Sequence, residues 1–341
     1  MKPTFHKIRH ASELPPAWDE LAGNYFQRRE FLVHTELFNP CRQRYYLMND
    51  GERLLAGAVV YTLGMDLFTF SGMKSPVSMH VGGIPCSVSC PGIIGASNAI
   101  QALQEEVFAH EKGLCVFLNL EEQPVSGKWI VGPTLPTIVL ENRFFSWSDY
   151  IQALRSDYRR RLSRILAEEC GIQVSQTDCG AFTPEMHRQY LQVFQRSKGK
   201  LEQLGLDFFQ KLPPLFRLNA WRLDDRLLGW TITLTDSGVH YFFLGGIDYT
   251  LNDRYHSYFR MLAGIVREGV EKGANSIDLG QTAEIPKTRL GGKCIPRYLE
   301  GGHSRRWVNS LLHLAKPLLV YQRQIPETHV FQKYENTLSP A

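Results

Sequence analysis

Two stretches of the chain share one hydropathy pattern. Residues 50–72 read DGERLLAGAVVYTLGMDLFTFSG, and residues 224–246 read DDRLLGWTITLTDSGVHYFFLGG. Each opens on an acidic turn, passes through Arg-Leu-Leu into β-branched and aromatic residues, breaks at a glycine-containing turn and resumes as an aromatic strand ending in glycine. Such runs, bounded by Asp, Gly and Ser, predict a β-hairpin in each stretch, over about 52–71 and 225–245.

A helix and a strand are expected after each hairpin. In the first half Ser97 is a candidate N-cap for a helix with Ile100, Leu103, Val107 and Phe108 on one face. Gly113 then follows Glu111-Lys112 as a C-cap, and CVFLNL (115–120) is the next strand. In the second half Asn252 or Asp253 can cap a helix carrying Tyr255, Phe259, Leu262, Val266 and Val270. Gly273 follows Glu271-Lys272, and SIDLG (276–280) follows as a strand. The Arg-Leu-Leu triplets are offset by 173 residues and the Glu-Lys-Gly triplets by 160. The reading is therefore an internal duplication, with 13 extra residues in the first half, expected within 73–96. Before the second hairpin, 148–169 predicts an amphipathic helix with Ile151, Leu154, Tyr158, Leu162 and Ile165 on one face. Another helix starts at Thr183-Pro184, a cap followed by proline at the first helical position.

At 341 residues the chain exceeds the roughly 100–200 residues of one domain, which agrees with two halves. The boundary is expected near 135–147, giving residues 1–140, residues 141–310 and a C-terminal tail at 311–341. Hydrophobic residues make up 43% and charged residues 21%, enough for a sizeable core. A net charge of only +4 argues against wholesale wrapping by nucleic acid but permits a local basic patch. Seven cysteines without a CxxC pair fit buried free thiols in a reducing compartment. The N-terminal residues lack a signal-peptide core, and no run reaches the roughly 18 apolar residues of a membrane helix, so a cytoplasmic location is expected. The apolar stretch 311–321, interrupted by Lys316-Pro317, reads as a docking element or a loose tail.

The order helices, antiparallel hairpin, helix, strand, met twice, resembles a tandem GNAT protein of the FemAB/FemX type of acyl- and aminoacyltransferases. The resemblance covers about 15–310 and rests on SDYRRRLSRI (156–165), LLGWTITLTDSGVHYFFLGGIDY (227–249) and IDLGQTAEIPKTRLGGK (277–293). It implies an α/β (α+β) fold of two tandem GNAT-like domains, each a mixed, mostly antiparallel sheet flanked by helices. It also implies two strands, 239–246 and 276–280, that splay apart and leave backbone groups for a donor arm to pair with. CoA-using relatives open the following helix with a Q/R-x-x-G-x-G/A loop, whereas this chain has TLNDRYHSY (250–258), without glycine. No tightly bound cofactor is implied; acyl-CoA, an acyl carrier or aminoacyl-tRNA would be the co-substrate, and a small-molecule or peptide amine the acceptor. A binding module without catalysis, within a biosynthetic complex, is the alternative.

The candidate site follows from the same segments. Asp248 either orients or deprotonates an amine or simply caps the next helix. Lys287 matches the resemblance's lysine after the strand and is expected, as an exposed loop residue, to contact a substrate carboxylate or phosphate. Glu284 is a candidate base. Asp278, Gln281 and Arg289 from the same segment, with Tyr249, Tyr255 and His256 from the other, are candidate substrate-binding residues. Arg159 and Arg161, within a cluster that includes Arg155, Arg160 and Arg164, are candidate donor contacts or a solvated helix face. His80, Cys86 and Cys90 lack metal-ligand spacing, and the expectation is no metal.

Overall fold

The computed structural model describes residues 3–70, 76–86, 88–167, 171–197 and 199–332. The chain starts with β1 (Thr4–Ile8), α1 (Ala17–Leu21), α2 (Arg29–Phe38), β2 (Gln43–Asp50), β3 (Arg53–Asp66) and β4 (Pro76–Gly82). A short β5 (Ile93–Gly95) leads into α3 (Ser97–His110), β6 (Leu114–Leu120), β7 (Ile130–Pro133) and β8 (Thr137–Glu141). Next come α4 (Trp147–Ala153), α5 (Ser156–Ala167), β9 (Ile172–Asp178), α6 (Pro184–Arg196) and α7 (Leu206–Gln210). They are followed by β10 (Arg217–Leu223), β11 (Arg226–Asp236), β12 (Val239–Ile247), α8 (Tyr249–Tyr255), α9 (Ser257–Glu271) and β13 (Ser276–Asp278). The chain continues through α10 (Glu284–Thr288), β14 (Lys293–Ile295), β15 (Tyr298–His303), α11 (Arg306–Leu314) and α12 (Lys316–Leu319).

These strands form two sheets of one plan. The first runs β1-β2-β3-β4-β6-β15-β7, with β5 beside β3; the second runs β9-β10-β11-β12-β13-β8-β14. Position by position the two orders correspond, and in each sheet a parallel contact, β4 with β6 or β12 with β13, is flanked on both sides by antiparallel pairs. A helix makes each parallel crossover, α3 in one and α9 in the other, as a parallel pair requires. The chain is thus α/β, two tandem mixed sheets flanked by helices.

The last correspondence is an exchange. β8, from the first half of the chain, lies beside β13 in the second sheet, whereas β15, from the second half, lies beside β6 in the first. By packing, one unit comprises Met1–Thr137, Thr177–Arg217 and Ile295–Arg323, and the other Ile138–Gln176, Leu218–Cys294 and Gln324–Ala341. The units are interleaved, where the sequence reading divides the chain consecutively. Strand pairing is satisfied by backbone groups from any distance along the chain, so no local signal marks the exchange.

The repeat extends to a polar constellation. Thr62 on β3 stands opposite His80 on β4, and Thr235 on β11 opposite His240 on β12. Each His Nδ1 faces the Thr hydroxyl, at 3.3 and 2.8 Å, and each His Nε2 faces a carboxylate, Glu111 or Glu268, at 3.6 Å. The threonines carry the 173-residue offset of the Arg-Leu-Leu triplets, and the histidines the 160-residue offset of Glu-Lys-Gly. The 13 extra residues therefore lie between Thr62 and His80, inside the hairpin, and not after it as expected. β3 runs through Gly64 to Asp66, 67–70 form a turn, and the partner strand begins only at Pro76; Gly72 and Met73 lie outside the described residues. Gly64 does not break the strand because nothing crowds its missing side chain and it pairs with Ser78.

Packing accounts for the helices. Leu103, Val107 and Phe108 of α3 are buried against the first sheet, and Leu262, Val266 and Val270 of α9 in the core of the second. Thr183 caps α6 by accepting from Met186 N, with Pro184 at its first position. Ser97 is the first residue of α3, and the cap position is Ala96, without a side-chain cap. The helix expected over 148–169 is two helices, broken at Leu154–Arg155. There Leu154 bridges Phe331, and Arg155 N donates to Val330 O, so tertiary pairing overrides helical periodicity. Residues 168–170, including Cys170, lie outside the described residues. Six described cysteines are free, five of them buried.

Candidate active site

β11 and β12 form a regular hairpin until Ile232. The register then steps from Ile232–Leu244 to Thr233–Phe242, which leaves Phe243 as an extra residue on β12. A bulge of this kind frees a backbone group from the ladder and bends the strand locally. β12 pairs with β13 only at 239–241, and runs on to Ile247 while the chain after β13 turns away. Leu279 N and Gly280 O bond instead to Ile138 on β8. Past Tyr241 this edge of β12 has no strand partner among the described residues. Gly246 lies on that stretch, and a side chain there would fall 2.4 Å from the Trp230 indole nitrogen.

Lys287 sits at this divergence. Its side chain is only 2% exposed, which corrects the expectation of an exposed loop lysine. The five-residue α10 folds it inward, where Nζ donates to Gln281 O at 2.6 Å and lies 5.8 Å from the Phe242 ring centre. Burial pulls the ammonium's pKa down to about 7, and the Asp278 and Glu284 carboxylates only partly oppose this. A lysine so poised exchanges its proton near neutrality. Asp278 lies opposite the buried Ile277 and Leu279 along the strand and accepts from Gly280 N at 2.7 Å. Glu284 is buried, 4% exposed. The loop holding them takes left-handed backbone at Gly280, Thr282 and Ala283, with φ of 71°, 59° and 46°. For Thr and Ala that conformation is costly and is retained where surroundings enforce it, commonly at functional sites.

The other segment contributes less directly. Asp248 caps α8, accepting from Thr250 N at 2.9 Å and Thr250 Oγ1 at 2.6 Å, and is not among the charges that perturb Lys287. Tyr249 is half-buried beside Tyr258, a residue that sequence reasoning missed. Burial, then Tyr249 and Glu284, push the Tyr258 phenol up. Tyr258 thus links the two segments, yet its period within α9 reads only as core. Cys294, also missed, is near Glu284 and its thiol is raised by partial burial and that carboxylate. Tyr255 is half-buried under Arg254; His256 is an exposed left-handed residue joining α8 to α9; Arg289 is exposed. On α5, Arg159 is half-buried with a 3.3 Å bond to Gln152 O, Arg161 is exposed, and Arg160 pairs with Asp157 at 2.7 Å.

The N-terminus of α9 is occupied by the chain itself. The preceding α8 stands where a glycine-rich phosphate loop would lie, and Asn252 Oδ1 accepts from Tyr258 N at 3.1 Å. The corresponding region of the first sheet differs. β3 and β4 keep one register throughout, without a bulge, and the chain after β4 is buried from Ile84 through Cys86. Glu202 accepts from Cys86 N and from Asn39 Nδ2 there, and Asn119 on β6 donates to Val88 O at 2.9 Å. Among the described residues no group of three His, Cys, Asp or Glu is arranged to hold a metal ion; His80 belongs to the Thr62–Glu111 constellation.

Residues 152–287 match a family model described as the acetyltransferase (GNAT) domain. Among solved structures, L-PGS from Bacillus licheniformis is 12% identical with a TM-score of 0.49, covering 89% of this chain and 94% of that one. A tandem GNAT protein from the clavulanic acid biosynthesis pathway, solved without AcCoA, is 10% identical with a TM-score of 0.48, covering 89% and 99%. FemX is 10% identical with a TM-score of 0.47, covering 83% and 92%. A comparison with curated proteins found no match.

Proposed function

We propose, on the match of residues 152–287 to a family model described as the acetyltransferase (GNAT) domain, that this protein transfers an activated acyl or aminoacyl group to an amine acceptor at the second sheet. The observation that carries the reading is the divergence of β12 from β13 beside the Phe243 bulge, with the poised Lys287 at its edge. The donor arm lies along the unpaired edge of β12 as an added strand would. A backbone N–H released at the bulge polarises the carbonyl of the donor ester or thioester. The neutral acceptor amine attacks that carbonyl, and the C–N bond forms as the C–O or C–S bond breaks. The amine's proton passes to the neutral Lys287 amine, and the leaving group departs with a proton from solvent or from Lys287. Glu284 and Asp278 stabilise the lysine once it is charged.

The occupied N-terminus of α9 favours a donor whose phosphates are held elsewhere, so aminoacyl-tRNA or a carrier-borne acyl group ranks above acyl-CoA. The exposed face of α5 is the candidate contact. Replacing Arg159 and Arg161 by Gln is expected to weaken donor binding and to lower the slope of log affinity against log salt by about 1–2. Filter binding across a salt series reads this, and an unchanged slope returns α5 to a solvated face. The reading as a whole is tested by offering the protein charged tRNA and acyl-CoA pools with mixed amines. Transfer abolished by ribonuclease supports the tRNA donor, and absence of turnover with every donor class favours a binding module.

A further inference from the structure

We propose that α11 and α12 dock this protein on the surface of an anionic lipid bilayer. The surface belongs to a different part of the chain from the transfer site, and the proposal does not depend on that reading. Trp307, Leu311 and Leu314 of α11 are 64%, 55% and 81% exposed, and Leu318 of α12 is 41% exposed. The spacing i, i+4, i+7 puts the first three on one stripe of the helix. The opposite face holds the helix down. Leu312 is buried, and Asn309 donates to Lys128 O at 2.8 Å while accepting from His303 N at 3.2 Å. The apolar stripe is therefore what a seated helix leaves outward, not a helix awaiting its core.

Charge selects the partner. Residues 301–326 contain Arg305, Arg306, Lys316 and Arg323 and no Asp or Glu. Beside α11 lies a cavity of about 580 Å³ whose wall includes Lys112, Lys128, His303, Arg306 and His313. Lys128 is partly neutralised by Glu105 at 3.5 Å. An exposed Trp-and-Leu stripe rimmed by Lys and Arg suits the boundary between acyl chains and anionic headgroups. The basic wall of the cavity suits a headgroup phosphate. A nucleic-acid surface would use the cations but leave three leucines in water, and a neutral protein groove would use the leucines but not the cations. No helix among the described residues is long and apolar enough to cross a membrane, so the association is peripheral. One short stripe binds weakly alone, and the stripe and the charge act together.

The test is co-sedimentation of the full chain with vesicles of phosphatidylglycerol and phosphatidylcholine, and with phosphatidylcholine alone. Binding is expected to the anionic vesicles, to fall with salt, and to be at least about tenfold weaker without the anionic lipid. Leu311→Ser with Leu314→Ser, and separately Arg305→Gln with Arg306→Gln, are each expected to weaken it by about tenfold while leaving the melting temperature unchanged. Quenching of tryptophan fluorescence by brominated lipid should drop in Trp307→Phe. Absence of binding to anionic vesicles, or binding indifferent to both double variants, overturns the proposal. So does lipid-free self-association abolished by the leucine variant, which makes the face a contact between copies. RNA binding lost with the arginines, without any vesicle binding, likewise overturns it.

Discussion

Lys287→Met is expected to lower transfer at saturating substrates by about a hundredfold or more, the scale of one positioned acid–base group, or about 2.7 kcal/mol of barrier. The side chain stays long and apolar, so the cavity remains filled while the proton-accepting nitrogen is gone. Lys287→Arg is the sharper control, since a guanidinium does not release its proton in this range. Wild-type rate should climb as pH rises through about 7, where the buried amine becomes neutral, and the arginine variant should lack that climb. A full rate in Lys287→Met removes the residue from the chemistry. An equal pH profile in Lys287→Arg removes the base role in particular.

The same lysine makes a stability prediction of definite sign. Its pKa is about 7 folded against 10.5 when solvated, so between these values the unfolded chain binds more protons. Folding free energy is therefore penalised below about 7 and the penalty is relieved as pH rises toward 10.5, by at most about 1.4 kcal/mol per pH unit. Urea unfolding of wild type and Lys287→Met across this window should show wild type gaining relative to the variant. A flat difference would mean that Lys287 keeps its ordinary proton affinity in the fold. Removing an exposed loop lysine would hardly touch folding, whereas the burial of Lys287 beside Asp278 and Glu284 makes folding part of the experiment.

The duplication was legible because it was written in local residues. Arg-Leu-Leu opens β3 and β11, and Glu-Lys-Gly closes α3 and α9, at positions where a strand start and a helix stop need those types. What local residues do not encode went unread. The exchange of β8 and β15 rests on pairing between strands 135–139 residues apart in one sheet and 178–189 in the other, with no mark in either. Leu67 to Phe70 has strand composition but sits in a turn, because Gly64 is spacious enough for β3 to pass through it. At the site, IDLGQTAEIPKTRL holds Asp278, Glu284 and Lys287, which the structure brings together, but nothing in it marks that α10 turns the lysine inward or leaves Arg289 exposed. Tyr258 and Phe242 were hidden because an aromatic on an amphipathic element looks the same whether it faces core or cleft. The Thr–His pairs could have been found by applying the two triplet offsets to polar residues, since Thr62, Thr235, His80 and His240 obey them.

The second large effect is acid unfolding concentrated in the two carboxylates that face the paired histidines, Glu111 and Glu268, whose own offset is 157 residues. Burial alone would raise Glu111, but Arg44 at 2.6 Å, the Tyr46 hydroxyl and Lys7 at 3.5 Å outweigh it and hold its pKa at about 2. Burial likewise opposes the charge on Glu268, and His240 at 3.6 Å with Lys272 at 2.7 Å overcomes it, again to about 2. Asn219, Gln176 and Thr233 also donate to Glu268, at 3.1, 2.9 and 3.2 Å. Both folded pKa values lie below the ordinary 4.5, so the folded state binds fewer protons than the unfolded chain in that interval. Each carboxylate's stabilisation is fully present above about 4.5 and is lost as pH falls toward about 2, with a limiting size of about 3 kcal/mol per group. Each ties its helix to its own sheet, Glu111 just past α3 and Glu268 within α9. Glu111→Gln and Glu268→Gln should each destabilise the protein at pH 7 by about 2–4 kcal/mol, because Arg44 beside Glu111 and Lys272 beside Glu268 lose their counter-charge. Each should also flatten the loss of stability between pH 4.5 and 2, and the double variant should nearly abolish that slope. Denaturant unfolding monitored at several pH values reads both effects. If the single variants retain the wild-type slope, the acid sensitivity belongs to other carboxylates and the repeated constellation is only a packing motif.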